Sequence, residues 1–244
     1  MSFTTNGGKR EQKEKQNKGS SLLLKGFERG RKAALLYFII SILNIVFFIP
    51  VILLDIFGNN IIGIALTIFI FILSLIYFIG GITGFIYEIL AFLDIIKYYK
   101  NNTLRKLFVI DLISLIVIPI ISIVFLILSF AFANNILLVV SIILLIITNL
   151  LLFLLLILRF VIIYKIYKKT NIKKFLHYVV FSIVLSIISI VWLIIIELLF
   201  PQSTLIEDVS GLIFSLFWAF ISYLYLKAYE EALEKVEKNK SSSN

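Results

Sequence analysis

Residues Phe175 to Phe200 read FLHYVVFSIVLSIISIVWLIIIELLF, and the reading of this run decides the fold class. It holds no Lys or Arg, and its one acid, Glu197, lies near its far end. Wound as a helix at ~1.5 Å per residue, it is longer than the ~30 Å hydrocarbon core of a bilayer. A strand of a membrane barrel would alternate apolar and polar side chains, whereas nearly every position here is apolar. The run is therefore a transmembrane helix.

Further runs of the same kind occupy 33–54, 61–96, 107–133, 136–163 and, if it starts near Val209, 209–226. The chain is 61% hydrophobic and 15% charged, with a mean hydropathy of +1.09. A soluble domain with that balance would lack the polar side chains to cover its outside. These features predict an all-α, polytopic transmembrane bundle of about six spans arranged as three hairpins.

All 23 Lys and Arg fall in four places: before Ala33, in Lys97–Lys106, from Arg159 to Lys174, and after Leu226. The intervening connections carry Asp55, Glu207 and Asp208 instead. Basic residues collect on the cytoplasmic side of membrane proteins, so both termini are expected there, in the cell membrane. The net charge of +9 then points to anionic lipid headgroups as partner, with no nucleic acid expected. A second copy of the chain or another protein is a further partner to consider. Residues 1–32 are expected to be a basic, largely disordered tail and 227–244 a charged helix end that frays.

The run 61–96 is too long for one perpendicular span, which predicts a tilted helix or one kinked at Gly80-Gly81. Gly80 and Gly84 form a small-xxx-small pair that lets a neighbouring helix approach closely. Pro50 and Pro119 sit inside apolar runs and are expected to kink them. Asn44 and Asn149 fall near mid-membrane, where amides hydrogen-bond between helices.

Ionisable groups inside a bilayer are costly and mark sites. The candidates are Glu88, the more deeply placed acid of its helix, and Asp94, Asp111, Arg159 and His177, each within about two helical turns of the basic connections, with Glu197 similarly close to the other end. Arg159 is expected to pair with Glu88 or Asp111. Such a pair either neutralises two charges and pins helices together, or frames a cytoplasm-facing site for a small anion or lipid headgroup. With no cysteine and one histidine, the chain offers neither thiol chemistry nor the usual zinc ligands, and no cofactor is implied.

Lys97 to Phe108 aligns without gaps on Lys165 to Leu176, and Lys227-Ala228-Tyr229 begins a weak third copy. Duplication of a hairpin and the ordinary Tyr-Lys chemistry of membrane helix ends both explain this. Together with the basic start of each hairpin, these segments resemble an uncharacterised prokaryotic family of multi-pass membrane proteins, mainly archaeal, defined as a domain of unknown function. The resemblance covers about Gly26 to Glu231 and implies the architecture only. Three functions follow in order. The first is a non-enzymatic bundle presenting a basic face to lipid or protein. The second is a small transporter or channel-like permease. The third is a lipid-modifying enzyme using Glu88, Asp94 or Asp111.

Overall fold

A computed structural model describes residues 6–57, 61–132, 157–199 and 204–241. They form α1 (Asn6–Phe57), α2 (Ile61–Tyr99), α3 (Asn102–Phe132), α4 (described over 157–170), α5 (Lys173–Leu199) and α6 (Thr204–Ser241), with no strand among the described residues. Among the described residues, four segments are long and apolar enough to cross a membrane: Ser21–Leu54, Gly63–Tyr99, Lys173–Ile196 and Ile206–Ser241. Most of the expected span 136–163, Asn149 within it, and the Asn134-Asn135 connection lie outside the described residues.

The chain divides into two compact units, one made of Met1–Tyr99 with Thr170–Asn244 and the other of Lys100–Lys169. In the first, α1 packs on α2 and on α6, and α6 packs on α5. The pairings are all antiparallel. Along α1 and α2, Arg29 meets Asp94 and Tyr37 meets Glu88. Along α1 and α6, Phe27 meets Tyr229 and Asn44 meets Ser215. Along α5 and α6, Phe175 meets Tyr229 and Trp192 meets Ser210. The N-terminal part of α1, the start of α5 and the C-terminal parts of α2 and α6 therefore share one end, which carries Arg29, Lys97, Lys174 and Lys227.

Helices of 52, 39 and 38 residues are ~78, ~58 and ~57 Å long, all well beyond the ~30 Å hydrocarbon thickness. Packing follows this excess. Phe27, Ala33, Ala34, Ala91, Phe92, Ile95, Phe175, Tyr225, Ala228, Tyr229 and Ala232 are all but inaccessible, and all lie toward the basic end. Nearer the other end, Phe71 is 63% exposed, Phe78 65% and Leu198 74%. Apolar surface displayed so widely has lipid as its natural solvent.

The basic segment before Ala33 is part of α1 from Asn6 onward, and Leu23 and Phe27 are buried in the bundle. Its apolar residues find α2 and α6 to pack on, which charge content alone does not register. Residues 61–99 form one uninterrupted helix, and α1 continues through Pro50. The helix breaks also displace the apparent repeat. Lys100 (φ 49°) and Asn171 (φ 56°) hold the left-handed conformation that ends a helix, and they are three positions out of step in the gap-free alignment. The structurally equivalent buried residues after the breaks are Leu104 and Phe175, which that alignment does not pair.

Candidate functional site: a tyrosine-lined recess beside Glu88

Close approach of α1 to α2 builds one wall of the site. A Cβ added at Gly84 would lie 3.0 Å from the Tyr37 ring, and one at Gly80 3.2 Å from Ile40. The small-xxx-small pair thus serves contact with α1 within the chain. On the other side of α1, Gly30 lies against the ring of Tyr229, with no room for a side chain. These small residues bring Glu88 of α2 within reach of tyrosines on both α1 and α6.

Glu88 is 3% exposed. Tyr37 donates to its Oε2 at 2.9 Å and Tyr225 to its Oε1 at 3.1 Å. The Tyr225 hydroxyl has one proton, which goes to Glu88, so Tyr229, 3.2 Å away, donates to Tyr225. Two further rings pack against these tyrosines. Tyr178 stacks on Tyr225 with centroids 4.2 Å apart, and Phe175 meets the edges of Tyr225 and Tyr229. A buried carboxyl group is tolerated when donors face both oxygens, and two phenols supply them here.

From Glu88 the polar groups continue along the helices away from the basic end. Ser41 donates to the Tyr37 carbonyl at 2.8 Å and lies 3.0 Å from Ser222. Asn44 donates to Ser215 at 2.9 Å, and Ser215 donates to the Gly211 carbonyl. Together Tyr37, Ser41, Asn44, Tyr178, Ser222 and Tyr225 border a recess of about 450 Å³ that Tyr77, Trp218, Ile40 and Ile221 complete. A second, more apolar recess of about 380 Å³ shares Asn44 and Tyr77 with it and is walled by Leu43, Phe47, Leu73, Ser74 and Phe78. The volumes fall in the ~300–1,000 Å³ range of small-molecule sites.

The remaining sequence candidates occupy other places. Asp94 is buried and pairs with Arg29 at 2.5 Å. In the second unit, Asp111 is buried and its Oδ2 lies 3.5 Å from Arg159 Nε, one of the two pairings expected for that arginine. His177 is exposed on α5. Asn44 does bridge helices, from α1 to α6. A series of polar side chains runs from Glu88 through Tyr37, Ser41 and Ser222 to Asn44 and Ser215. Tyr37, Tyr178, Ser222 and Tyr225 escaped sequence reasoning because tyrosine and serine barely lower a hydropathy window. The i, i+4 spacing of Tyr225 and Tyr229, on one face with Ala228 and Ala232, was the available signal.

Among the described residues no group of three His, Asp or Glu could hold a metal ion. No protein-family model, curated protein or solved structure matches the chain.

Proposed function

We propose that this chain is a multi-pass integral membrane protein of six spans in three hairpins, with both termini cytoplasmic, that binds a small ligand within the bilayer in the manner of a transporter or channel-like permease. The observation that carries this reading is the recess of about 450 Å³ between α1, α2, α5 and α6, polar on one side and beginning beside buried Glu88. A bundle serving only as support has no use for such a space, because voids and half-buried hydroxyls cost stability. The gathering of basic residues at the Glu88 end supports the cytoplasmic placement of that end.

A second reading keeps the basic face as an anionic-lipid contact. It is favoured by an open depression of about 440 Å³ on α3, where Arg105 and Lys106 stand beside Val109 and Ile110. Basic side chains next to apolar ones suit a headgroup and the start of its acyl chain.

Single cysteines test the proposal in a chain that has none of its own. In sealed vesicles of known orientation, cysteines replacing Gly58, Asn134 and Thr204 label only from outside and those replacing Asn102 and Asn171 only from inside. Asn44→Cys, at mid-span, labels with a small water-borne reagent. Labelling of Thr204→Cys and Asn102→Cys from the same side contradicts the topology, and an inert Asn44→Cys in a folded protein contradicts the recess.

A further inference from the structure

We infer that the recess takes an amphipathic organic cation, an amine or quaternary ammonium group held at the Glu88 end with its apolar body directed toward Phe47 and Phe78. The inference rests on reading the recess as a binding site, and it adds the class of ligand.

Four donors at the Glu88 end, on Tyr37, Ser41, Ser222 and Tyr225, are spent within the protein. The phenol protons of Tyr37 and Tyr225 go to Glu88. The Ser41 proton goes to the Tyr37 carbonyl. Ser222, 3.0 Å from Ser41, must then be the donor of that pair, since each hydroxyl has a single proton. What these four groups can still offer an incoming molecule is oxygen lone pairs. A ligand that meets these four groups has to bring its own positive charge or its own protons.

The aromatic lining adds to the same preference. Tyr37, Tyr77, Tyr178, Trp218 and Tyr225 border the recess, and among the described residues no Lys or Arg does. The faces of these rings carry the negative part of their quadrupole, which attracts ammonium groups most strongly where water is excluded. Glu88 stands immediately behind two of the phenols and polarises their oxygens toward negative charge. A cation therefore finds π faces, acceptor oxygens and an acid one layer away.

The neighbouring space sets the rest of the ligand. The second recess joins at Asn44 and Tyr77 and is walled mainly by Leu43, Phe47, Leu73 and Phe78. It provides an apolar place for an alkyl or aryl body of a molecule whose head sits beside Tyr37 and Tyr225. A compact hydrated cation would leave that wall unused, so the pair of recesses selects amphipathic cations over inorganic ones.

Trp218 reports occupancy directly. In the full chain carrying Trp192→Phe, placed in nanodiscs of zwitterionic lipid, Trp218 is the sole tryptophan. The probes are N-hexylpyridinium, a permanent cation that quenches indole, and 4-hexylpyridine at alkaline pH, its neutral isostere. Saturable quenching by the cation at least about tenfold tighter than by the isostere is expected. Glu88→Gln should weaken the cation by about tenfold and leave the isostere unchanged. Tyr77→Leu, at an exposed rim position, should weaken it by about tenfold as well, the order of one desolvated cation–π contact. Equal affinity for the two probes, or a cation affinity indifferent to both substitutions, overturns the cation preference while saturable quenching by both leaves the recess standing. If neither probe saturates, the recess itself is not a binding site. Should Glu88→Gln fail to fold, Tyr77→Leu and the probe comparison decide.

Discussion

Tyr225 on α6 donates a hydrogen bond to Glu88 on α2 across 137 positions of sequence, at 3.1 Å, and both side chains are buried. Neither helix is the principal partner of the other. The bond passes beside α1, whose Tyr37 reaches the second oxygen of the same group. One acid thereby ties together three helices.

Removing either phenol should loosen that tie. Tyr225→Phe and Tyr37→Phe are each expected to destabilise the protein by about 1–3 kcal/mol, because a buried acceptor loses its donor. The double substitution should depart from additivity by at least about 0.5 kcal/mol, since both act on one group. Unfolding midpoints of the four proteins in detergent give the cycle; strict additivity would mean that the two bonds are independent of Glu88.

Glycine spacing supplies a steric prediction. Gly30→Ala drives a methyl group into the buried Tyr229 ring and should cost about 1–3 kcal/mol. Adding Tyr229→Leu should return part of the loss. A methyl group added at Gly81 would meet nothing within 4 Å, so Gly81→Ala should stabilise by about 0.5–1 kcal/mol through helix propensity alone. Thermal melts of the three variants distinguish a clash from a general intolerance of substitution in these helices.

Arg29 and Asp94 anchor the basic segment to α2. Their side chains are 26% and 11% exposed, so Asp94→Asn should cost ~1–3 kcal/mol, less than the ~3–5 kcal/mol of fully buried pairs. Proteolysis should then begin N-terminal to Ala33, and the exchange Arg29→Asp with Asp94→Arg should restore protection. Unchanged digestion in Asp94→Asn would show that Leu23 and Phe27 hold the segment unaided.

The helix breaks offer a backbone test. Lys100 and Asn171 occupy the left-handed region, where a Cβ is disfavoured by about 1–2 kcal/mol. Lys100→Gly should raise the melting temperature and Asn171→Val lower it. Asn171→Gly should change it least, because asparagine already tolerates this conformation.

The apolar runs were legible because hydrophobic length is a local property, and Glu88, Asp94 and Asn44 were legible because polar groups stand out within such runs. Their partners were not. Tyr37 and Arg29 belong to a helix whose N-terminal half reads as a solvated tail by charge, and Tyr225 and Tyr229 read as headgroup-level aromatics beside Lys227. Depth measured from the nearest lysine misled for a physical reason. α1, α2 and α6 are all much longer than the hydrocarbon core is thick, so a side chain near a lysine in sequence can still be sealed inside protein. Asp94, three residues before Lys97, is the clearest case, being 8% exposed.

The proposed function requires water to reach a polar recess inside the bilayer beside Glu88, and the deuterium modulation of a spin-label echo in D2O measures water directly. Labels would be placed one at a time at Ser222, on the recess, and at Ile187, 54% exposed on the apolar surface of α5, in protein reconstituted into lipid. Strong modulation at Ser222 with little at Ile187 is the predicted result. Equally weak modulation at both positions would contradict the account and leave a dry bundle in which Glu88 only holds helices together.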